Sequence, residues 1–341
     1  MQEQSITPPT AERIAATLSS LNIHYVRLPN PTPAIIRSFS YTNTSLLLSI
    51  PNGFLPSLAS NRSVALRWLY SHVLPFYPRS KISLISVGND AVVSDFGPFL
   101  LPAIRNLHLS LLDLGIRRIA VSTTFSFVNA VTTPFPPSSA TFQEPLGELI
   151  LRPLLQFLRD TNSSFLVNLY PYNMYRINAE IPLGFALFQD HPFNYRDDLL
   201  TGVRYKNLFE MMVDAVVTSL AVAGHEGLPL IVAETGWPSA GWDATEVDAT
   251  PLYAEMYLKG LVAHLKSGAG SPLRKDGVAE AYIFELVDQE GKPGTGKNWG
   301  ILYANMSNKY NLQFFGGSER IGVFLVPISW LLLLVLGLLM G

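Results

Sequence analysis

Short apolar runs rich in β-formers alternate along this chain with longer amphipathic stretches, and that alternation constrains the fold more than any other feature. Strands are expected at His24–Leu28, Ser45–Ile50, Ile82–Val87, Arg118–Ser122, Phe165–Leu169, Leu230–Ala233 and Ala281–Leu286. Between them, helices are expected at Pro9–Leu21, Ser57–Leu74, Phe99–Leu114, Leu146–Asp160, Tyr205–Gly224 and Pro251–Lys266, the first opened by Thr7 and two prolines. Strand–helix alternation of this kind means a parallel sheet covered by helices. With 341 residues, and about 250 typical of one α/β barrel, the pattern predicts a (β/α)8 TIM barrel. Only seven strands are counted, and the first recognisable element is a helix, so the barrel reads as lacking its first strand. The missing strand is expected upstream of Met1, where neither a basic start nor an apolar stretch marks a signal peptide. Both features are what a truncated or misannotated start would give.

The C-terminal end is different in kind. From Ile321 to Gly341 the chain is apolar and uncharged. About 20 such residues suffice to span a bilayer. The run follows Gly316-Gly317-Ser318 and Glu319-Arg320, as in a GPI-attachment signal, with attachment nearer Asn305 or Ser307 restoring the usual spacer. A tail anchor and a buried core helix are the other readings. The expected division is therefore a barrel over residues 1–315 and a hydrophobic segment over 316–341. Four sequons, at Asn43, Asn61, Asn162 and Asn305, fit a secretory route to the cell surface.

Composition removes several chemistries. There is no cysteine, hence no thiol nucleophile, thiolate zinc site or disulfide. The net charge is −2 and no basic cluster occurs, which argues against a nucleic-acid partner. The six histidines show no ligand spacing, so no metal or other cofactor is expected. A neutral substrate and a monomer suit this surface.

In a parallel barrel the reacting groups sit where the strands end. Those ends carry Pro51-Asn52, Gly88-Asn89-Asp90, Thr123-Thr124, Asn168-Leu169-Tyr170-Pro171-Tyr172, Glu234-Thr235-Gly236-Trp237 and Asp288-Gln289. Amides that bind hydroxyls, rings that stack on sugar faces and carboxylates for acid–base work collect there. Glu234 emerges from a strand apolar enough to be buried on both faces, which suits a nucleophile; the plainer reading is an acid capping the following turn. Asp90 could face it from another strand, as two-carboxylate glycoside hydrolysis requires, although Asn-Asp also marks ordinary turns. Tyr170, Tyr172, Trp237 and Trp299 are candidates for sugar contact or for core packing.

Taken in order, Val26-Arg27-Leu28, Ile50-Pro51-Asn52, Val87-Gly88-Asn89, Pro136-Pro137-Ser138, Val167 to Tyr172, Tyr205 to Phe209, Glu234 to Ser239 and Asn298-Trp299-Gly300 resemble glycoside hydrolase family 17, the plant endo-β-1,3-glucanases. The resemblance runs from about Pro8 to Phe315. It implies a (β/α)8 barrel and retaining hydrolysis of β-1,3-glucan, with Glu234 as nucleophile. It also implies cleft roles for Asn89, Tyr170 and Lys292, beside the strand-end amide of Asn168 as a candidate sugar contact, and a plant cell-surface location, often through a GPI anchor. Four positions depart from the family pattern. Asp90 stands where the acid/base is Glu, Gln289 replaces a cleft Glu, and Lys297 replaces the Glu before Asn298. The first strand, with its Gly and Tyr, is missing. The leading expectation is thus a cell-surface glucan endo-1,3-β-glucosidase whose turnover the shorter acid puts in question. The alternative is a non-catalytic β-1,3-glucan-binding protein, and the third a truncated product that folds poorly.

Overall fold

In the computed structural model, residues 9–144, 147–289, 298–314 and 321–325 are described. Eight parallel strands close into a barrel: β1 (Tyr25–Leu28), β2 (Ser45–Ile50), β3 (Lys81–Asn89), β4 (Ala120–Ser126), β5 (Phe165–Asn168), β6 (Leu230–Thr235), β7 (Glu280–Ile283) and β8 (Ile321–Phe324). Around the ring they run β1-β8-β7-β6-β5-β4-β3-β2. The predicted strands are all present. Arg118–Ser122 shifts to Ala120–Ser126, however, so Thr123 and Thr124 lie inside a strand rather than beyond it.

The count is eight because the C-terminal apolar run supplies a strand. Ile321–Phe324 pairs in parallel with β1 on one side and β7 on the other. Residues 321–325 thus belong to the barrel, against the expectation that everything after residue 315 stands apart from it. The physical reason is the edge left by seven strands. Unpaired backbone groups on β1 and β7 need partners once buried, and Ile-Gly-Val-Phe is short, apolar and buried throughout. Among the described residues no helix is long and apolar enough to cross a membrane.

The helices follow local chemistry. Thr10, Asn207 and Thr250 each accept a hydrogen bond from the backbone N–H three residues on, capping Ala11–Ser20, Leu208–Val222 and Pro251–Lys266. The cap expected at Thr7 falls outside the described residues. The predicted helix Ser57–Leu74 is split into Leu55–Ser60 and Arg62–His72, because Asn61 takes an extended backbone and its side chain caps the second piece.

Below their C-terminal ends, alternation sorts the strands into two faces. Leu46, Leu48, Ile85, Val121, Val167 and Val232 point outward to the helices. Leu47, Leu84, Leu166, Ile231, Ala233 and Tyr282 point inward and form an apolar floor. Above that floor the interior turns polar, with Arg27, Ser49, Ser86, Ser122, Thr124 and Asn168 all buried. The floor carries the barrel's stability. Leu166→Ala should cost about 2–5 kcal/mol in urea unfolding, whereas Leu199→Ala, 88% exposed, should stay within about 0.5 kcal/mol.

Candidate active site

Glu234 ends β6, and two register shifts decide where the site residues point. Along β6, Leu230 and Val232 face the helices, so simple alternation would send Glu234 the same way. The register with β5 instead jumps from Val232↔Val167 to Glu234↔Asn168. One extra residue turns Glu234 inward, the usual consequence of a bulge. β3 repeats the device: its register with β4 shifts between Ser86 and Asn89. Gly88 takes φ +77 there, which a side chain would resist. Asn52 then clamps Asn89 through both backbone groups, accepting from its N–H at 2.8 Å and donating to its carbonyl at 3.0 Å.

Arg27 reaches the same point from β1 by ordinary alternation and is 1% exposed. Its Nη1 donates to Glu234 Oε1 at 2.9 Å and to the Ala233 carbonyl at 2.9 Å. Its outer contacts are Asn168 Oδ1 at 3.3 Å, with Asn89 Oδ1 and Thr124 Oγ1 at 3.4 Å. Asn168 Nδ2 donates in turn to Asn89 Oδ1 at 3.0 Å. The second carboxylate oxygen accepts from the Tyr170 hydroxyl at 2.7 Å. Burial, then the neighbouring Glu234 charge, pushes the Tyr170 hydroxyl well above its ordinary range, so it stays a donor. Glu234, itself 6% exposed, is therefore gripped at both oxygens.

Of the residues singled out in the sequence, Glu234, Asn89, Asn168 and Tyr170 come together around Arg27. Trp299 stands edge-on to Tyr170 at 5.3 Å and extends that wall. Tyr172 and Trp237 lie one layer back. The Tyr172 hydroxyl donates to Glu246 Oε2 at 2.7 Å, and Trp237, 1% exposed, donates from Nε1 to the Asp248 carbonyl. They brace the wall rather than line it. Lys292 lies outside the described residues. The asparagines of all four sequons, at 43, 61, 162 and 305, are exposed.

Asp90 follows Asn89 in a left-handed conformation, with φ 51 and ψ 35. Its carboxylate accepts from the Ser126 N–H at 3.1 Å and from Asn129 Nδ2 at 2.5 Å. Burial raises its pKa, and those two hydrogen bonds oppose the rise. On the far side of the site, Asp288 is held by Lys309 at 2.7 Å and by the Gly300 N–H at 2.9 Å. Gln289 donates to Glu285, a buried carboxylate whose charge also raises the Tyr170 hydroxyl. Among the described residues no three His, Asp or Glu side chains converge as metal ligands.

Arg27 and Glu285 were not singled out for the site by sequence reasoning. The signal for Arg27 was available: a charged residue at an inward position of a four-residue buried strand needs a buried partner. Glu285 gave a similar signal, as a charge within the apolar run Ala281–Leu286, although the strand itself stops at Ile283.

The family model described as glycosyl hydrolases family 17 matches residues 5–314. Glucan endo-1,3-beta-glucosidase 7 of Arabidopsis thaliana is 39% identical over 312 residues, covering 89% of this chain and 61% of that protein. Glucan endo-1,3-beta-glucosidase 2 of the same plant is 37% identical over 311 residues, again covering 89% and 61%. The chain thus spans about three-fifths of the length of these relatives. The structure of a beta-1,3-glucanase and allergen of Cryptomeria japonica pollen is similar with a TM-score of 0.85 and 32% identity, over 91% of this chain and 96% of that one.

The Arg27–Glu234 pair sets a prediction. Arg27→Met should destabilise the protein by about 3–5 kcal/mol because it strands a buried charge. Adding Glu234→Gln should recover much of that loss, since no charge then remains unpaired. A double-mutant cycle on urea unfolding reads the coupling directly.

Proposed function

Because the chain belongs to glycosyl hydrolase family 17, we propose that it hydrolyses internal β-1,3-glucosidic bonds of glucan with retention, using Glu234 as nucleophile and Asp90 as acid/base. The observation that carries this reading is the grip on Glu234. Arg27 and Tyr170 hold both carboxylate oxygens at the C-terminal mouth of a barrel, where substrates of such folds bind. Asp90 protonates the leaving glycosidic oxygen while Glu234 attacks the anomeric carbon, giving a covalent glycosyl-enzyme. Asp90, now ionised, takes a proton from water, which attacks the same carbon and releases Glu234. Asn89 and Asn168 offer amides to the sugar hydroxyls, and Tyr170 and Trp299 offer ring edges at the wall.

Turnover is reduced on this reading. Asp is shorter than Glu by one carbon–carbon bond, about 1.5 Å, and a misplacement of about 1 Å costs on the order of 100-fold. The Asp90 carboxylate is also engaged by Ser126 and Asn129. That engagement favours, as the second reading, a protein that binds β-1,3-glucan without cleaving it. The four exposed sequon asparagines support a secretory route and action at the cell surface or in the wall.

Reducing ends released from linear β-1,3-glucan test the two readings. Glu234→Gln should abolish release and Asp90→Glu should raise it by about 10–100-fold, a gain of the size that repositioning by 1 Å commands. Glucan retention with no turnover in wild type and in Asp90→Glu would sink the enzymatic reading.

A pH profile tests the acid. The Asn129 hydrogen bond favours the ionised form of Asp90 and so lowers its pKa. Asn129→Ala should therefore raise that pKa further. The general acid then stays protonated to higher pH, and the basic limb of kcat/KM should move upward.

A further inference from the structure

The strand that closes the barrel brings an aromatic ring to the nucleophile's arginine. Within Ile321–Phe324, Ile321 and Val323 face the helices, so Gly322 and Phe324 face the interior. Gly322 is a close fit: a Cβ there would lie 2.6 Å from the Tyr282 ring and 2.9 Å from Tyr25 Cβ. Phe324 stands in register with Arg27. Its carbonyl accepts from the Leu286 N–H, and the next residue, Leu325, donates to the Arg27 carbonyl, both at 2.9 Å. Its ring centroid lies 5.0 Å from Arg27 Cζ and 4.9 Å from the Phe284 ring, which also meets Tyr170 edge-on at 6.0 Å.

We infer that Phe324 is a positioning residue of the site, acting on Glu234 through Arg27, and that residues 321–325 are a working part of the barrel. A guanidinium over an aromatic face is attracted by the ring quadrupole, most strongly where water is excluded. Phe324 is 6% exposed, so the contact lies in such a place. The ring packs against the guanidinium beside its polar acceptors, and holds the fork toward Glu234, Ala233 and Asn168. The same five residues cannot also enter a bilayer or be removed with an anchor signal while the folded barrel is closed by them. Strand and anchor are exclusive uses of this segment.

Strand placement can be tested without activity. The chain has no cysteine, so Val26→Cys with Val323→Cys, partners in the parallel register, introduces a single possible disulfide. Disulfide Cα atoms stand about 4.4–6.8 Å apart, and neighbouring strands lie about 4.7–4.9 Å apart. Mild oxidation of the full chain should give a mobility shift reversed by reductant and absent from either single variant. No cross-link in a folded double variant would overturn the placement.

The positioning role is tested by Phe324→Leu, which keeps bulk and loses the ring, against Phe324→Tyr, which keeps it. On linear β-1,3-glucan, Leu should lower kcat about 10-fold with KM little changed, and Tyr should retain most of the activity. Equal kcat in wild type and Leu would overturn the role. This arm rests on the proposed hydrolysis. Should wild type show no turnover, that reading fails alone, and a thermal-unfolding cycle of Phe324→Leu with Arg27→Met decides: coupling supports the role, additivity overturns it.

Discussion

A buried charge pair organises the interior of this barrel. Arg27 and Glu234 come from strands more than 200 residues apart in sequence, and neither could be removed from water alone without a cost of several kcal/mol. Each is therefore surrounded. The guanidinium meets the Ala233 carbonyl, two asparagine side chains and Thr124 besides the carboxylate. The carboxylate keeps one oxygen for Tyr170. Below them lies the apolar floor, which excludes water from beneath and makes the pairing obligatory. The fold's stability and the candidate chemistry meet at this layer.

Two local irregularities aim the layer. A regular strand would direct Glu234 and Asn89 to the helices, where their polar groups would be buried without partners. The bulges on β6 and β3 reverse both. Gly88 serves the second, and Asn52 holds the result in place from the end of β2. Asp90 inherits the consequences. It follows the bulge in a left-handed conformation, and its short side chain reaches Ser126 and Asn129. Those two contacts fix where its carboxylate stands beside the β3 end.

Closure of the ring links the far end of the chain to the site. Hydrophobicity alone marks Ile321–Leu325 as apolar, and the same composition serves a bilayer helix, an anchor signal or a core strand. The open edges of β1 and β7 select the strand, because pairing satisfies two rows of backbone groups at once. Gly322 makes the selection specific, since the Tyr282 and Tyr25 side chains fill the space beside it.

The sequence by itself determined the alternating architecture, seven of the eight strands, the carboxylate at the end of β6 and most of the amide and aromatic residues around it. These are local properties: apolar runs that suit a doubly covered strand, and polar residues placed where such strands end. It did not determine the direction of Glu234 and Asn89, since a bulge is a mismatch between two strands and exists only once they pair. Nor did it single out Arg27 for the site, whose meaning depends on acceptors from four other strands. Tyr172 and Trp237 look alike in sequence to Tyr170 and Trp299, and only packing sets the first two behind the wall. The eighth strand was the largest reassignment. Whether an apolar segment closes a barrel is decided by the two edges waiting for it, and one of them, β1, lies hundreds of positions away.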